Sequence, residues 1–199
     1  MNCASCEDKI CYSAGINCTE YEEEDLYTET DNLRVSSEIE ALHYMKLSRL
    51  EEIILYCKKK GYKKLGIAFC IGLSEEAKIL DEILNQKGFE TRSVCCKVGG
   101  ISKDELGISK ILDERFEAIC NPYLQAKILN DWSSDLNLIV GLCLGHDIDF
   151  SNNSDAPTTT FIVKDRMLAH NPAGALYSNY YRRKILKPVM IGSNVEDKG

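Results

Sequence analysis

The chain has 199 residues, enough for one domain plus a small appendage with a full core, so its ten cysteines are not needed as staples. A net charge of −7 with no basic face argues against general nucleic-acid binding. No apolar run approaches the roughly 20 residues of a membrane span, and no basic start followed by an apolar stretch suggests a signal peptide. A cytoplasmic protein with reduced thiols is the expectation, and clustered thiols there are more often metal ligands or catalytic groups than disulfides.

Cys3, Cys6, Cys11 and Cys18 fall within the first 18 residues, in the pattern C-x2-C-x4-C-x6-C. That segment is too short and polar for a core of its own. A C-x2-C pair lets two thiolates meet one ion from a tight turn, and two later cysteines complete a tetrahedron, which suits structural zinc. The same set can hold iron–sulfur, although the spacing matches neither usual ferredoxin pattern. The bland alternative is free thiols at an unstructured terminus. The acidic run from Glu20 to Asp31, with Glu22, Glu23, Glu24 and Asp25, reads as a solvated linker.

Ser37 and Glu40 form a capping-box pattern, and Ile39, Leu42, Leu50, Ile53, Ile54 and Cys57 follow with helical spacing until Gly61. One long helix over residues 36–60 is predicted. Strand and helix patterns then alternate. Residues 64–70 (KLGIAFC) suit a buried strand, and Ser74 opens a helix through Ala77, Leu80 and Leu84 that ends at Gly88. Residues 90–96 form the next strand. Ser102 and Glu105 open a predicted helix with Leu106, Ile111 and Leu112, and residues 116–120 follow as a short strand. Asn121-Pro122 is a good helix start, with Leu124, Ile128, Leu129 and Trp132 on the apolar face. Residues 136–144 and 158–164 complete the strands. Asn171-Pro172 opens a last helix through Leu176 and Tyr180, and a loose tail follows Pro188.

This alternation predicts an α/β fold: a mostly parallel, Rossmann-like three-layer sheet with a small N-terminal four-cysteine metal knuckle and a long N-terminal helix. The expected divisions are 1–32 for the cysteine-rich segment and linker, 33–190 for the α/β domain, and 191–199 for the tail.

Cys70, Cys96, Cys120 and Cys143 each lie at or near the carboxyl end of a predicted strand. In open α/β sheets that edge binds ligands, and four thiolates there suit an iron–sulfur cluster or zinc. The alternative is that each cysteine packs as a small apolar group, as Cys57 does on its helix face. Cys95 and Cys96 point opposite ways on a regular strand. Cys96, nearer the strand end, is preferred, with Cys95 as the substitute. His146 and Asp147 follow the fourth strand, and Lys164, Arg166 and His170 follow the fifth. They suit a small anionic ligand at the same edge, or else a charged turn with local ion pairs. No nucleotide-binding glycine motif, serine-hydrolase elbow or H-E-x-x-H is present.

Cys120-Asn121-Pro122 with Gln125-Ala126, then GLCLGHD (141–147) and VKDRMLAHNP (163–172), together with the N-terminal cysteines, resemble the domain-of-unknown-function 1847 family over nearly the whole chain. The resemblance implies a metal-binding protein with Cys3, Cys6, Cys11 and Cys18 as ligands plus one later cysteine, and supplies no reaction, substrate or partner. Three functions remain open: a metal or iron–sulfur protein that serves redox chemistry with a redox partner, sensing or metal handling; a metal-dependent enzyme acting on a small anionic substrate; and a partner-binding protein with a purely structural zinc knuckle.

Overall fold

The computed structural model describes residues 1–22, 27–28 and 30–187. Part of the acidic run (23–26 and 29) and the predicted tail lie outside the described residues. The chain divides into two compact units, Met1–Tyr44 and Met45–Gly199.

The first unit carries a 3-10 turn at Cys3–Ser5, a single helical turn α1 (Ile10–Ser13), and helix α2 (Asp31–His43). Neither the 3-10 turn nor α1 buries a side chain. Polar contacts shape this segment: the Asn17 side-chain carbonyl accepts from both the amide and the hydroxyl of Thr19, each at 2.8 Å. Thr30 caps α2 by accepting from the Leu33 amide.

The predicted long helix is two helices. It breaks after His43, where Tyr44 leaves the helical region and Met45 takes a left-handed conformation (φ 55). Helix α3 (Arg49–Lys59) then starts afresh from a complete capping box between Ser48 and Glu51. The box read at Ser37 and Glu40 instead lies inside α2.

The second unit holds strands β1 (Lys64–Phe69), β2 (Glu90–Cys95), β3 (Leu136–Val140) and β4 (Thr158–Ile162). Helix α4 (Ser74–Gln86) joins β1 to β2. Helix α5 (Pro122–Asp131) precedes β3, and α6 (Leu144–Asn153) joins β3 to β4. Two short helices, α7 (Ala173–Tyr177) and α8 (Asn179–Ile185), follow β4. The sheet has four parallel strands in the order β2-β1-β3-β4, flanked by helices, as a Rossmann-like fold requires. Central β1 and β3 are almost wholly buried, and this is why they read as continuous apolar runs. Because β3 lies on the opposite side of β1 from β2, the strand order reverses between β1 and β3. That switch point is where such sheets open a crevice at their carboxyl ends.

Two predicted elements are absent. Residues 102–112 form no helix and 116–120 no strand; Ser102 and Ala118 share one antiparallel bridge instead. The competing force is Glu117. Its carboxylate pairs with Lys103 at 2.9 Å and accepts from the amides of Ile111 and Leu112, which draws residues 97–119 into a folded loop.

Packing of α5 on β1 depends on Gly66. A Cβ there would lie 2.0 Å from the Asn137 side-chain oxygen and 2.9 Å from a Leu129 methyl. Asn137 and Leu129 are both fully buried, so neither can swing away.

Candidate functional site

The backbone ladder continues past the strands and carries the cysteines with it. Cys70, the residue after β1, donates its amide to Val140 O at 3.1 Å, and Cys96, after β2, donates to Phe69 O at 2.8 Å. Asn121 donates to Cys96 O at 2.8 Å, which brings residues 120 and 121 alongside. Cys120, Cys96 and Cys70 therefore follow one another along the carboxyl edge of the sheet. Cys143 follows β3 and is the N-cap residue of α6.

Gln125 of α5 fixes this edge from below. It is fully buried, and its side-chain amide donates to Val94 O at 2.7 Å and to Phe69 O at 3.3 Å, the strand ends before Cys96 and Cys70. Gly141 turns the chain out of β3 with φ +62, and a Cβ there would meet a Leu73 methyl at 2.6 Å. Only glycine fits both the conformation and the space. A register shift between Ile139 and Val140 pairs Val140 with Ile162 and re-aims the residues after β4.

Cys96 sits between two other thiols. Its sulfur is 3.8 Å from Cys120 Sγ and accepts from the Ile71 amide at 3.4 Å, and the Cys70 thiol also acts on it. The three thiols share protons unequally. Hydrogen bonding from Cys96 holds Cys70 down to about 4 against the opposing effect of burial, helped by Lys164 and the Gly72 amide. The Cys96 contact likewise holds Cys120 down to about 5, with Lys97 and the charge of His146 adding to it. Cys96 itself is pushed up by its bonds to the two neighbours and by burial. The edge therefore favours two thiolates around one protonated thiol. Arg166 donates to Cys143 Sγ at 3.1 Å, and the charges of Cys143, Cys70 and Cys120 raise its own pKa.

The other residues singled out are placed as follows. Cys95 ends β2 and accepts weakly from the Lys97 amide at 3.5 Å, apart from the trio. Asp147 lies in the first turn of α6, where burial raises its carboxyl. His170 Nδ1 accepts from the Asp165 amide at 3.1 Å within a local turn. Cys57 is fully buried, and burial, with the charge of Asp135, pushes its thiol up to about 12. In the first unit Cys3, Cys6, Cys11 and Cys18 are all exposed. Partial shielding raises the Cys18 thiol, and the charge and hydrogen bond of Cys11 and the charge of Cys3 add to it.

Lys97 and Gln125 were not legible as site residues. Lys97 also donates to Ala118 O at 2.6 Å, and nothing in a single lysine after a cysteine signals that reach. Gln125 belongs to the residues that carry the family resemblance, but its only sign of a role at the edge is an amide on the buried face of α5.

The donor set, thiols with no intervening carboxylate, suits soft or borderline metals: zinc, copper(I) or iron–sulfur. Among the described residues, however, no group of three or more Cys, His, Asp or Glu side chains is set to hold a metal ion as it stands. The edge thiols lie in a row rather than around a centre.

Comparison with known proteins adds kinship. The model of a family described as "Protein of unknown function (DUF1847)" matches residues 11–161, a span that contains Cys70, Cys96, Cys120 and Cys143. An uncharacterised protein of Methanocaldococcus jannaschii is 55% identical over 193 residues, covering 94% of this chain and 99% of its own length. No solved structure matches the chain.

Proposed function

The chain belongs to the DUF1847 family, and we propose that it is a metal-binding protein whose edge cysteines Cys70, Cys96, Cys120 and Cys143 hold zinc or an iron–sulfur cluster. The observation that carries this reading is convergence. Three connections, β1 to α4, β2 to α5 and β3 to α6, bring soft donors to the carboxyl edge, and the sulfurs of Cys96 and Cys120 lie 3.8 Å apart there. Ladder hydrogen bonds hold the backbone of Cys70 and Cys96, so rotation about χ1 is the freedom that remains to aim these two thiols.

The surroundings support the same reading. Lys164, Lys97 and Arg166 offset the negative charge that several thiolates would bring. The Ile71 amide on Cys96 is the kind of N–H···S bond that tunes a cluster potential. A bound cluster would supply one-electron chemistry, and bound zinc a rigid cross-link or a Lewis acid.

Cys3, Cys6, Cys11 and Cys18 form the second proposed site. Here the support is the mutual influence of Cys3, Cys11 and Cys18 in a segment without a core, where a metal would supply the folding energy.

Anaerobic purification followed by metal and sulfide analysis tests the edge site. The reading expects the Cys70→Ser, Cys120→Ser double variant to lose one centre while keeping the metal of the N-terminal segment. Metal content unchanged in that variant refutes the edge site.

A second reading, an enzyme or binding protein for a small anion, rests on Arg166. It is exposed, cationic and directly on the edge. Lys164, His146, Asp147 and His170 are the other proposed ligand-binding residues. Arg166→Ala should weaken binding of inorganic phosphate or a small carboxylate at unchanged metal content. Binding that survives the substitution would remove the anion reading.

A further inference from the structure

The thiols of the edge are not equivalent, and two of them are built as a pair. Cys96 and Cys120 approach to 3.8 Å between sulfurs. Their backbones are held together by the Asn121 amide on Cys96 O at 2.8 Å. They are also the two feet of the folded loop 97–119. Just beyond them the arms of that loop close on each other: Ile119 donates to Ile101 O at 2.8 Å, Lys103 to Glu117 O at 2.9 Å, and the Lys97 side chain to Ala118 O at 2.6 Å. The feet cannot drift apart without opening this neck. Access differs sharply between the two. Cys96 is 1% exposed, whereas Cys120 is only partly buried.

We propose that Cys96 and Cys120 form a redox-active dithiol that exchanges with small organic disulfides, with Cys120 as the attacking sulfur and Cys96 as the resolving one. In the first step Cys120 sulfur, as thiolate, bonds to one sulfur of R–S–S–R, and the R–S–S–R bond breaks to release RS⁻. In the second, Cys96 gives up its proton and its sulfur bonds to Cys120 Sγ, releasing the second RS⁻. The sum oxidises two thiols to one disulfide and reduces R–S–S–R to two RSH, so electrons and protons balance. The sulfurs must close from 3.8 Å to about 2.05 Å, on backbones that the Asn121 amide holds side by side. Cys120 carries the first step because a small disulfide can reach it. Cys96 cannot, and it is already the nearer partner for resolution. The disulfide would seal the loop at its neck and withdraw two of the four proposed metal ligands. That last consequence alone rests on the metal reading.

The test uses the full-length protein stripped of metal by a chelator, so its result does not depend on whether the edge binds metal. Oxidised glutathione is added anaerobically in limiting amounts, free thiols are blocked with N-ethylmaleimide, and the unreduced digest is read by mass spectrometry. Within the edge cysteines, the first linkage expected joins Cys96 to Cys120 and is reversed by dithiothreitol. Cys96→Ser should accumulate glutathione on Cys120 as a mixed disulfide, and Cys120→Ser should lose both products. Circular dichroism of each variant separates a lost reaction from a lost fold. A first linkage between Cys70 and Cys96, or Cys120 left unmodified in folded wild-type protein, overturns the proposal.

Discussion

The two cysteine groups of this chain differ in what holds them. Cys3, Cys6, Cys11 and Cys18 are exposed on a segment whose 3-10 turn and α1 bury nothing. Cys70 and Cys96 are buried, and the sheet ladder fixes their backbone before any ligand arrives. The first group is therefore expected to be organised by what it binds, while the edge group is organised by the fold. In sequence, spacing points to the first group and strand-end position to the second, but only the second has a scaffold that positions it independently.

The largest expected effect probes the first half of that contrast. The Cys3→Ser, Cys6→Ser variant removes a site whose binding energy would be on the order of 10 kcal/mol for structural zinc. Metal bound by the N-terminal segment should be lost and the segment should become sensitive to protease. The melting transition of residues 45–187 should stay put. A parallel fall in that transition would erase the contrast.

Gly66→Ala probes the second half. Its Cβ would collide with two buried side chains, and overpacking of this kind costs about 3 kcal/mol. Denaturant unfolding should show the loss. Because β1 carries Cys70 to the edge, thiol reactivity there should change as well, while that of the N-terminal cysteines should not.

Much of this division was legible in the residues. The buried runs of β1 and β3, the Asn121-Pro122 start of α5 and the strand-end cysteines all pointed to a parallel sheet with thiols at its carboxyl edge. The family resemblance, drawn from GLCLGHD and the residues around it, is borne out by the match over residues 11–161. What failed was local pattern overruled by longer-range contacts. Ser102 and Glu105 look like a helix start, but Glu117 captures Lys103 and two backbone amides and folds the stretch into a loop. The break at Tyr44–Met45 carries no glycine or proline, so the helical periodicity ran straight through it. The grip of Arg166 on Cys143 spans 23 residues and leaves no mark in either local sequence.

Thiol chemistry sharpens the comparison further. In metal-free protein at pH 7, Cys120, held down to about 5, is a thiolate, whereas Cys57, pushed up to about 12, is ionised to about one part in 10⁵. Iodoacetamide should label Cys120 with little pH dependence above about pH 6 and leave Cys57 untouched until the protein unfolds. Equal labelling of the two would contradict the electrostatics of the edge.

The smallest effect concerns the loop between the paired thiols. Lys103, followed by the Leu112 and Ile111 amides, lowers Glu117 from 4.5 to about 2. A carboxylate lowered on folding stabilises fully above its unfolded value, and the contribution is lost as pH falls through the folded one. Amide exchange at Ile111 and Leu112 should therefore be constant above about pH 4.5, after correction for intrinsic rates, and accelerate toward pH 2. Glu117→Gln should show the faster exchange at neutral pH.

The proposal with most at stake is that the edge cysteines bind a metal independently of the N-terminal ones. X-ray absorption at the metal edge of the anaerobically purified Cys3→Ser, Cys6→Ser variant tests it most directly. The account predicts one remaining centre with an all-sulfur first coordination shell, abolished by adding Cys70→Ser and Cys120→Ser. A metal-free variant, or a residual metal bound through oxygen and nitrogen, would contradict it.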